Sequence, residues 1–486
     1  MADLIYKDAT ELVDALRHRR VSSRELLDQY VRQVERINPK LNAVVTLDLE
    51  RARKRAAEAD DALARGEVWG PLHGLPITVK DTLETAGLRT TAGAPALSAH
   101  IPTADAVSVA RLKSAGAVLF GKTNTPIYAG DGQAYNEIFG TSNNPWDVTR
   151  SPGGSSGGSA AATSAAMSGL ELGSDIGGSI RGPAHVCGVY GLKPTHGIIP
   201  LRGHIPGPPG SLAETDIGVV GPIARSARDL ELGLSVMAGP SEDRGIAWRL
   251  DLPKPRRNSL REYRVAAWLD DPAYPVDAEM RARYEATADA LRRAGVKVDD
   301  RARPEIDIRR AVRTYLHLLL PIMSGAIPED RFRDMATRGD AAGYDAPDSD
   351  AMWAHANTIR HREWIALNEE RERYRVRWAE FFHEYDILLC PPMCVPAIRH
   401  DHSEPLTSRV INVNGVETPY FEALIPWAGF IGMAFLPSTS APVGRTQAGL
   451  PVGIQVVGPY LEDRSTIDFA SRMAEVIGGY DRPPIS

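Results

Sequence analysis

Apolar residues recur at helical spacing through residues 26–37, where Leu26, Tyr30, Val31, Val34 and Ile37 fall on one face. Just before them, Ser22-Ser23-Arg24-Glu25 offers a capping box, with Ser22 at the N-cap and Glu25 three residues on. Residues 9–66 therefore read as an N-terminal helical segment, whose stretch 49–65, rich in Ala, Arg and Glu, predicts a solvated helix. From residue 71 the period changes. Residues 75–79, Leu-Pro-Ile-Thr-Val, predict a short apolar strand ending at Lys80-Asp81; 105–114 reads as helix and 117–120 as a buried strand. Further strands are expected at 263–269, 296–298, 386–390 and 453–457, and helices at 278–294, 351–384 and 464–477. The polar stretch 328–350 reads as a surface loop. Strands alternating with helices at this pitch predict an α/β layered fold with a largely parallel sheet.

Two tracts break the pattern. Residues 151–159, Ser-Pro-Gly-Gly-Ser-Ser-Gly-Gly-Ser, run directly into the helix start Ala160-Ala161-Ala162. Residues 173–181, Gly-Ser-Asp-Ile-Gly-Gly-Ser-Ile-Arg, follow it. Small residues on both sides of one small-residue helix suit a place where backbone approaches a ligand or another backbone closely.

Composition narrows the class. With 43% hydrophobic and 24% charged residues among 486, disordered and fibrous chains are excluded. A net charge of -6 shows no general nucleic-acid footprint. Three cysteines make no disulfide framework and fit a reducing compartment. The start Met1-Ala2-Asp3-Leu4-Ile5 carries no secretory pattern, and the apolar run at 316–323 is far short of the ~20 residues that span a bilayer. A cytoplasmic protein without a membrane segment is the expectation.

Several motifs compete for the chemistry. Residues 116–123, Gly-Ala-Val-Leu-Phe-Gly-Lys-Thr, satisfy the Walker A pattern, but the middle four residues read as strand and Asn124-Thr125-Pro126 does not start a helix. A nucleotide-binding protein built on Gly116 to Thr123 is thus an alternative the local pattern disfavours. Residues 153–157 fit the G-x-S-x-G elbow without the preceding strand it needs, and His185, His196 and His204 show no partner spacing. Cys390, Cys394, His400 and His402 place four potential metal ligands within thirteen residues, in a segment with Pro391, Pro392 and Pro396; the spacing matches no finger, and loop packing is the simpler reading. There remains a serine whose base is a lysine. Lys80 ends a buried strand, and lysine removes a proton only when neutral. From an ordinary pKa of ~10.4, neutrality at pH 7 takes a shift on the order of 4–5 kcal/mol, which a dry pocket without a close carboxylate supplies. The consecutive amides of residues 175–179 offer a nest for an oxyanion.

Residues 74–81 (Gly-Leu-Pro-Ile-Thr-Val-Lys-Asp) and the two tracts together resemble the amidase signature family, with Ser155 and Ser179 spaced 24 apart as its two catalytic serines are. The likeness continues through 188–195, 221–225 and 449–458 and weakens between about 245 and 435. It implies a single α/β/α sandwich domain over residues 1–486 with a large mixed, mostly parallel sheet: N-terminal helices to 66, a signature core at 71–240, a variable substrate side at 241–435, and closing strands and helix at 436–486. It implies that Ser179 is the nucleophile, that Ser155 is the bridging serine on a cis bond with Gly154, and that Lys80 is the base. It further implies that the amides of Ile176, Gly177, Gly178 and Ser179 form the oxyanion hole, that Ser156, Asp175 and Arg181 support the loops, and that Gly130, Asp131 and Gly132 fall on a substrate-facing loop. No metal or cofactor is implied. The expected activity is hydrolysis of a carboxylic amide, with aryl amides, esters and carbamates in reach. The expected partner is a small-molecule amide, with no nucleic acid and no membrane, taken by a monomer or homodimer. The family alternative is the A subunit of a glutamyl-tRNA amidotransferase, whose usual Ser-Ser-Leu-Asp-Gln stretch is here Leu-Ala-Glu-Thr-Asp at 212–216. Tyr420, Phe421, Trp427, Phe430, Met433 and Phe435 are core residues or, in part, cleft lining.

Overall fold

Helix formation at the N-terminus follows from the caps. The structure, a computed structural model, describes residues 4–205, 207–346 and 349–485; Met1, Ala2 and Asp3, part of the leader reading, lie outside the described residues. Asp8 caps α1 (Ala9–Arg17) and Ser22 caps α2 (Ser23–Leu41). The capping box is formed: the Glu25 amide donates to Ser22 Oγ at 3.1 Å, and the Ser22 amide donates to Glu25 Oε2 at 2.9 Å. The buried face of α2 carries the expected Leu26, Tyr30, Val31, Val34 and Ile37. The expected solvated helix, α3 (Leu49–Ala64), also has an inner seam, Ala52, Ala56, Ala59 and Ala62, which lets it lie close to its neighbours.

One sheet of eleven strands organises the chain. In chain order they are β1 (Val44–Leu47), β2 (Pro76–Lys80), β3 (Val118–Thr123), β4 (Glu171–Asp175), β5 (Tyr190–Lys193) and β6 (Val219–Ala224). Then come β7 (Arg264–Ala267), β8 (Lys297–Asp299), β9 (Ile387–Cys390), β10 (Ser438–Arg445) and β11 (Pro451–Val457). The spatial order is β1-β3-β2-β4-β6-β5-β10-β11-β9-β7-β8. The large mixed sheet is as expected, but parallel pairing is confined to β3-β2-β4 and β9-β7-β8; the middle of the sheet is antiparallel. Strands β2, β6 and β11 are buried at every residue, so both faces are covered. Such strands read as continuous apolar runs whichever way they point, which is why the run pattern overstated the parallel share.

Helices α4 (Gly157–Ser164) and α5 (Arg181–Cys187) are buried throughout. On the variable side stand α6 (Ile308–Met323), α7 (Glu329–Ala342), α8 (Ser349–Thr358), α9 (His361–Glu384) and α10 (Pro426–Met433). The expected loop at 328–350 is largely helix α7; residues 347–348 lie outside the described residues. Its only buried residue is Gly339, so no apolar stripe marks it. Acidic Glu329 and Asp330 in the first turn suit the helix N-terminus. The long helix expected at 351–384 is broken into α8 and α9, and the Arg360 amide donates to Glu363 Oε2 at 2.7 Å at the new start. Among the described residues no helix is long and apolar enough to cross a membrane. The chain closes with α11 (Asp463–Ile477).

Candidate active site

The parallel strands β2 and β4 end at the same edge of the sheet, where a ligand site is expected in such folds. Lys80, the last residue of β2, is fully buried. Its Nζ lies 2.6 Å from Ser155 Oγ, 2.9 Å from Ser174 Oγ and 3.1 Å from Ser156 Oγ. Burial lowers the Lys80 pKa from 10.5 to about 7, against the pull of the Asp175 carboxylate. Three hydroxyls and no carboxylate match a neutral amine, with two N–H donors and one lone pair. Ser156 Oγ donates to the Ser174 carbonyl at 3.2 Å, so it is free to accept from Lys80, whose lone pair is left for Ser155.

The first Gly/Ser tract carries the cis peptide bond Gly154–Ser155. Gly154 is required by close approach: a Cβ there would sit 2.5 Å from the backbone of residues 131–133. The Ser156 amide donates to the Ser179 carbonyl at 3.1 Å, tying the first tract to the second. Ser174, which sequence reasoning passed over, lies in the second tract and completes the ring of hydroxyls around Lys80.

The second tract is held by a buried ion pair. Asp175 accepts from Arg181 Nη2 at 2.7 Å and Nε at 3.0 Å, and from the amides of Gly178 at 2.9 Å and Ile180 at 3.0 Å. Burial alone would raise the Asp175 carboxyl; the charge and hydrogen bonds of Arg181 outweigh it and hold it at about 2. Arg181 also donates to Ala428 O and Gln455 Oε1, both at 2.8 Å. The Gly178 amide is thus committed within the loop, and of the four amides expected to hold an oxyanion, those of Ile176, Gly177 and Ser179 make no backbone or side-chain hydrogen bond among the described residues. Tyr315 of α6 braces them by donating to Ile176 O at 2.9 Å. Removing Arg181's charge leaves a buried carboxylate without a counterion. Arg181→Met is expected to lose about 3–5 kcal/mol of unfolding free energy, measured by denaturant titration.

Ser179 is half-buried at the floor of a cavity of about 470 Å³. Its walls are mostly apolar, with Leu319 and Met323 of α6, Met335 of α7, Trp353 of α8, Phe421 and Leu424. Arg331, Arg338, Asp350 and Glu404 add charge to the lining. The apolar run at 316–323, weighed only for membrane length from sequence, supplies one wall. Gly130, Asp131 and Gly132 also line the cavity. The Asp131 carboxylate, however, is occupied: it accepts from Arg409 Nη1 at 2.8 Å and from the Tyr420 hydroxyl at 2.6 Å, and so shapes the loop. Of the aromatic and Met candidates in the C-terminal part, Phe421 lines the cavity, while Trp427, Phe430 and Met433 are core and Phe435 stacks on His196.

The competing motifs do not assemble. Residues 118–123 are strand β3, and Lys122 is buried, its Nζ bonded to Leu83 O and Thr85 Oγ1, so no phosphate cradle forms. His185 receives the Gly453 amide at 2.6 Å and sits 3.1 Å from Val395 O, away from both serines. Cys394 contacts the carbonyls of Tyr274 and Glu422, Cys390 faces Gln455, and His402 stacks on Tyr135 at 3.7 Å. Among the described residues no group of three or more His, Cys, Asp or Glu could hold a metal.

Known proteins match this chain over nearly its whole length. A family model described as Amidase matches residues 25–467. The A subunit of the glutamyl-tRNA(Gln) amidotransferase from Nitrosococcus oceani is 30% identical, covering 99% of this chain and 99% of that protein. A solved 6-aminohexanoate cyclic dimer hydrolase complexed with substrate is 28% identical with TM-score 0.78, covering 99% of each chain. A structure of a vestigial protein complex tied to the origins of an s-triazine catabolic enzyme is 26% identical with TM-score 0.81, covering 98% of this chain and 100% of that one. These findings correct the expected partners. A monomer or homodimer on a small amide, with no nucleic acid, does not stand beside end-to-end relatives named as one subunit of a tRNA amidotransferase. A net charge of -6 excludes only a broad basic footprint on this chain. It is blind to an RNA brought by another subunit.

Proposed function

The chain belongs to the amidase family, and from that premise we propose that it cleaves a carboxylic amide C–N bond through an acyl-enzyme on Ser179. The observation that carries the proposal is Lys80 Nζ, buried among the hydroxyls of Ser155, Ser156 and Ser174. Ser179 Oγ attacks the carbonyl carbon while its proton passes to Ser155 and the Ser155 proton to Lys80. The negative oxygen is met by the free amides of Ile176, Gly177 and Ser179. The relay then reverses, the nitrogen leaves protonated, and an ester on Ser179 remains. Aryl amides, esters and carbamates fall within the same chemistry. Three free, buried cysteines support a reducing, cytoplasmic setting.

For the fate of the nitrogen, the amidotransferase role has the stronger support, because the relatives so named match from end to end. In that role the amide nitrogen passes on to a glutamyl-tRNA with partner subunits. Stand-alone hydrolysis is the second reading, favoured by the apolar cavity walls and by the stretch 212–216. Two measurements test the proposal. An alkyl sulfonyl fluoride is expected to label Ser179; mass spectrometry placing the label on Ser155 would reverse their roles. Ammonia release by the chain alone, from glutamine and from benzamide, separates the readings: rapid benzamide turnover with no glutamine turnover would sink the amidotransferase role.

A further inference from the structure

Ser179 divides two spaces. The large apolar cavity lies on one side. On the other is a cavity of about 30 Å³ reached by Ser155, Ser174, Ser179, His204 and Thr215. That volume holds a water and little more. His204 is aimed there by its backbone. It bridges to Leu83, the Ile205 amide donates to Thr82 O at 2.8 Å, and the Glu84 amide donates to Gly203 O at 2.9 Å. The loop is thereby pinned to the chain just past Lys80. The His204 Nε2 atom is buried and makes no hydrogen bond among the described residues. A buried polar atom of this kind is costly unless something fills its need.

We infer that His204 Nε2 holds the water that hydrolyses the acyl-enzyme, in the small cavity on the Ser155 side of Ser179. This rests on the acyl-enzyme reading above. By reversibility, the incoming water attacks from the side the leaving group vacated, and Ser155 must reach both. One water O–H donates to His204 Nε2 and stays on the oxygen. The other proton passes to Ser155 as the Ser155 proton passes to Lys80. The water oxygen bonds to the acyl carbon, the carbon–Ser179 Oγ bond breaks, and the proton returns through the relay to Ser179 Oγ. The carboxylic acid leaves. His204 orients the water and takes no proton of its own. Burial, joined by the nearby Lys80, lowers its pKa to about 3, so the ring is neutral and keeps a lone pair to offer.

The test uses p-nitrophenyl butyrate, whose burst reports acylation and whose steady phase reports deacylation. His204→Leu, which removes the acceptor, is expected to slow the steady phase about tenfold, the worth of one hydrogen bond. The burst is unchanged, and butyryl-Ser179 accumulates in quenched enzyme by mass spectrometry. His204→Gln, which keeps a polar atom in the cavity, recovers part of the steady rate. A steady phase equal to wild type in both variants overturns the inference, as does equal slowing of both phases. Absence of a butyryl group on Ser179 in the wild-type enzyme overturns the acyl-enzyme reading itself, and the inference with it.

Discussion

Ser179→Ala is expected to lower turnover by about 10⁶-fold, the scale set by removing a serine nucleophile whose partners remain. The fold is expected to survive. Ser179 is half-buried, and its bond to the neighbouring tract is made by its carbonyl, accepting from Ser156, which the substitution keeps. Product release by chromatography and a thermal melt check both halves. Activity within tenfold of wild type would transfer the nucleophile's role elsewhere.

Lys80→Met is expected to cost about 10²–10⁴-fold, the usual share of a positioned base. The methionine fills similar volume, so loss comes from the missing lone pair. The pH profile adds a signed test. The working form is the neutral amine, and the Lys80 pKa lies at about 7. The rate is therefore on its plateau above that value, and it falls tenfold for each unit of acid below it as the amine protonates. Measured as kcat/KM, this reports the free enzyme. A rate that stays flat down to pH 5 would contradict the lysine base.

Particular residues show how far the chain could be read before folding. Ser22 and Glu25 announced α2 because a cap is local chemistry, complete within four residues. Lys80, Ser155 and Ser179 were found as motifs because their backbone demands, small residues and a strand end, are written locally. Helix α7 was missed because its faces are polar and its support comes from neighbouring helices. Ser174 was missed because a serine in a strand has no mark until β4 lies beside β2.

The chain by itself determined the family and the layered α/β class, and its motifs marked the three residues proposed for the proton relay, since each motif is carried by spacing along the backbone. Tertiary structure decided everything that depends on what surrounds a charge. The Lys80 pKa is brought down to about 7 because burial strips the amine of water, with only hydroxyls in contact and no carboxylate. Asp131 is a brace because Arg409, 278 residues away, takes its charge. The Gly178 amide is withdrawn because Asp175 turns back to it. Desolvation and ion pairing are properties of assembled neighbours, and no spacing along one strand can state them.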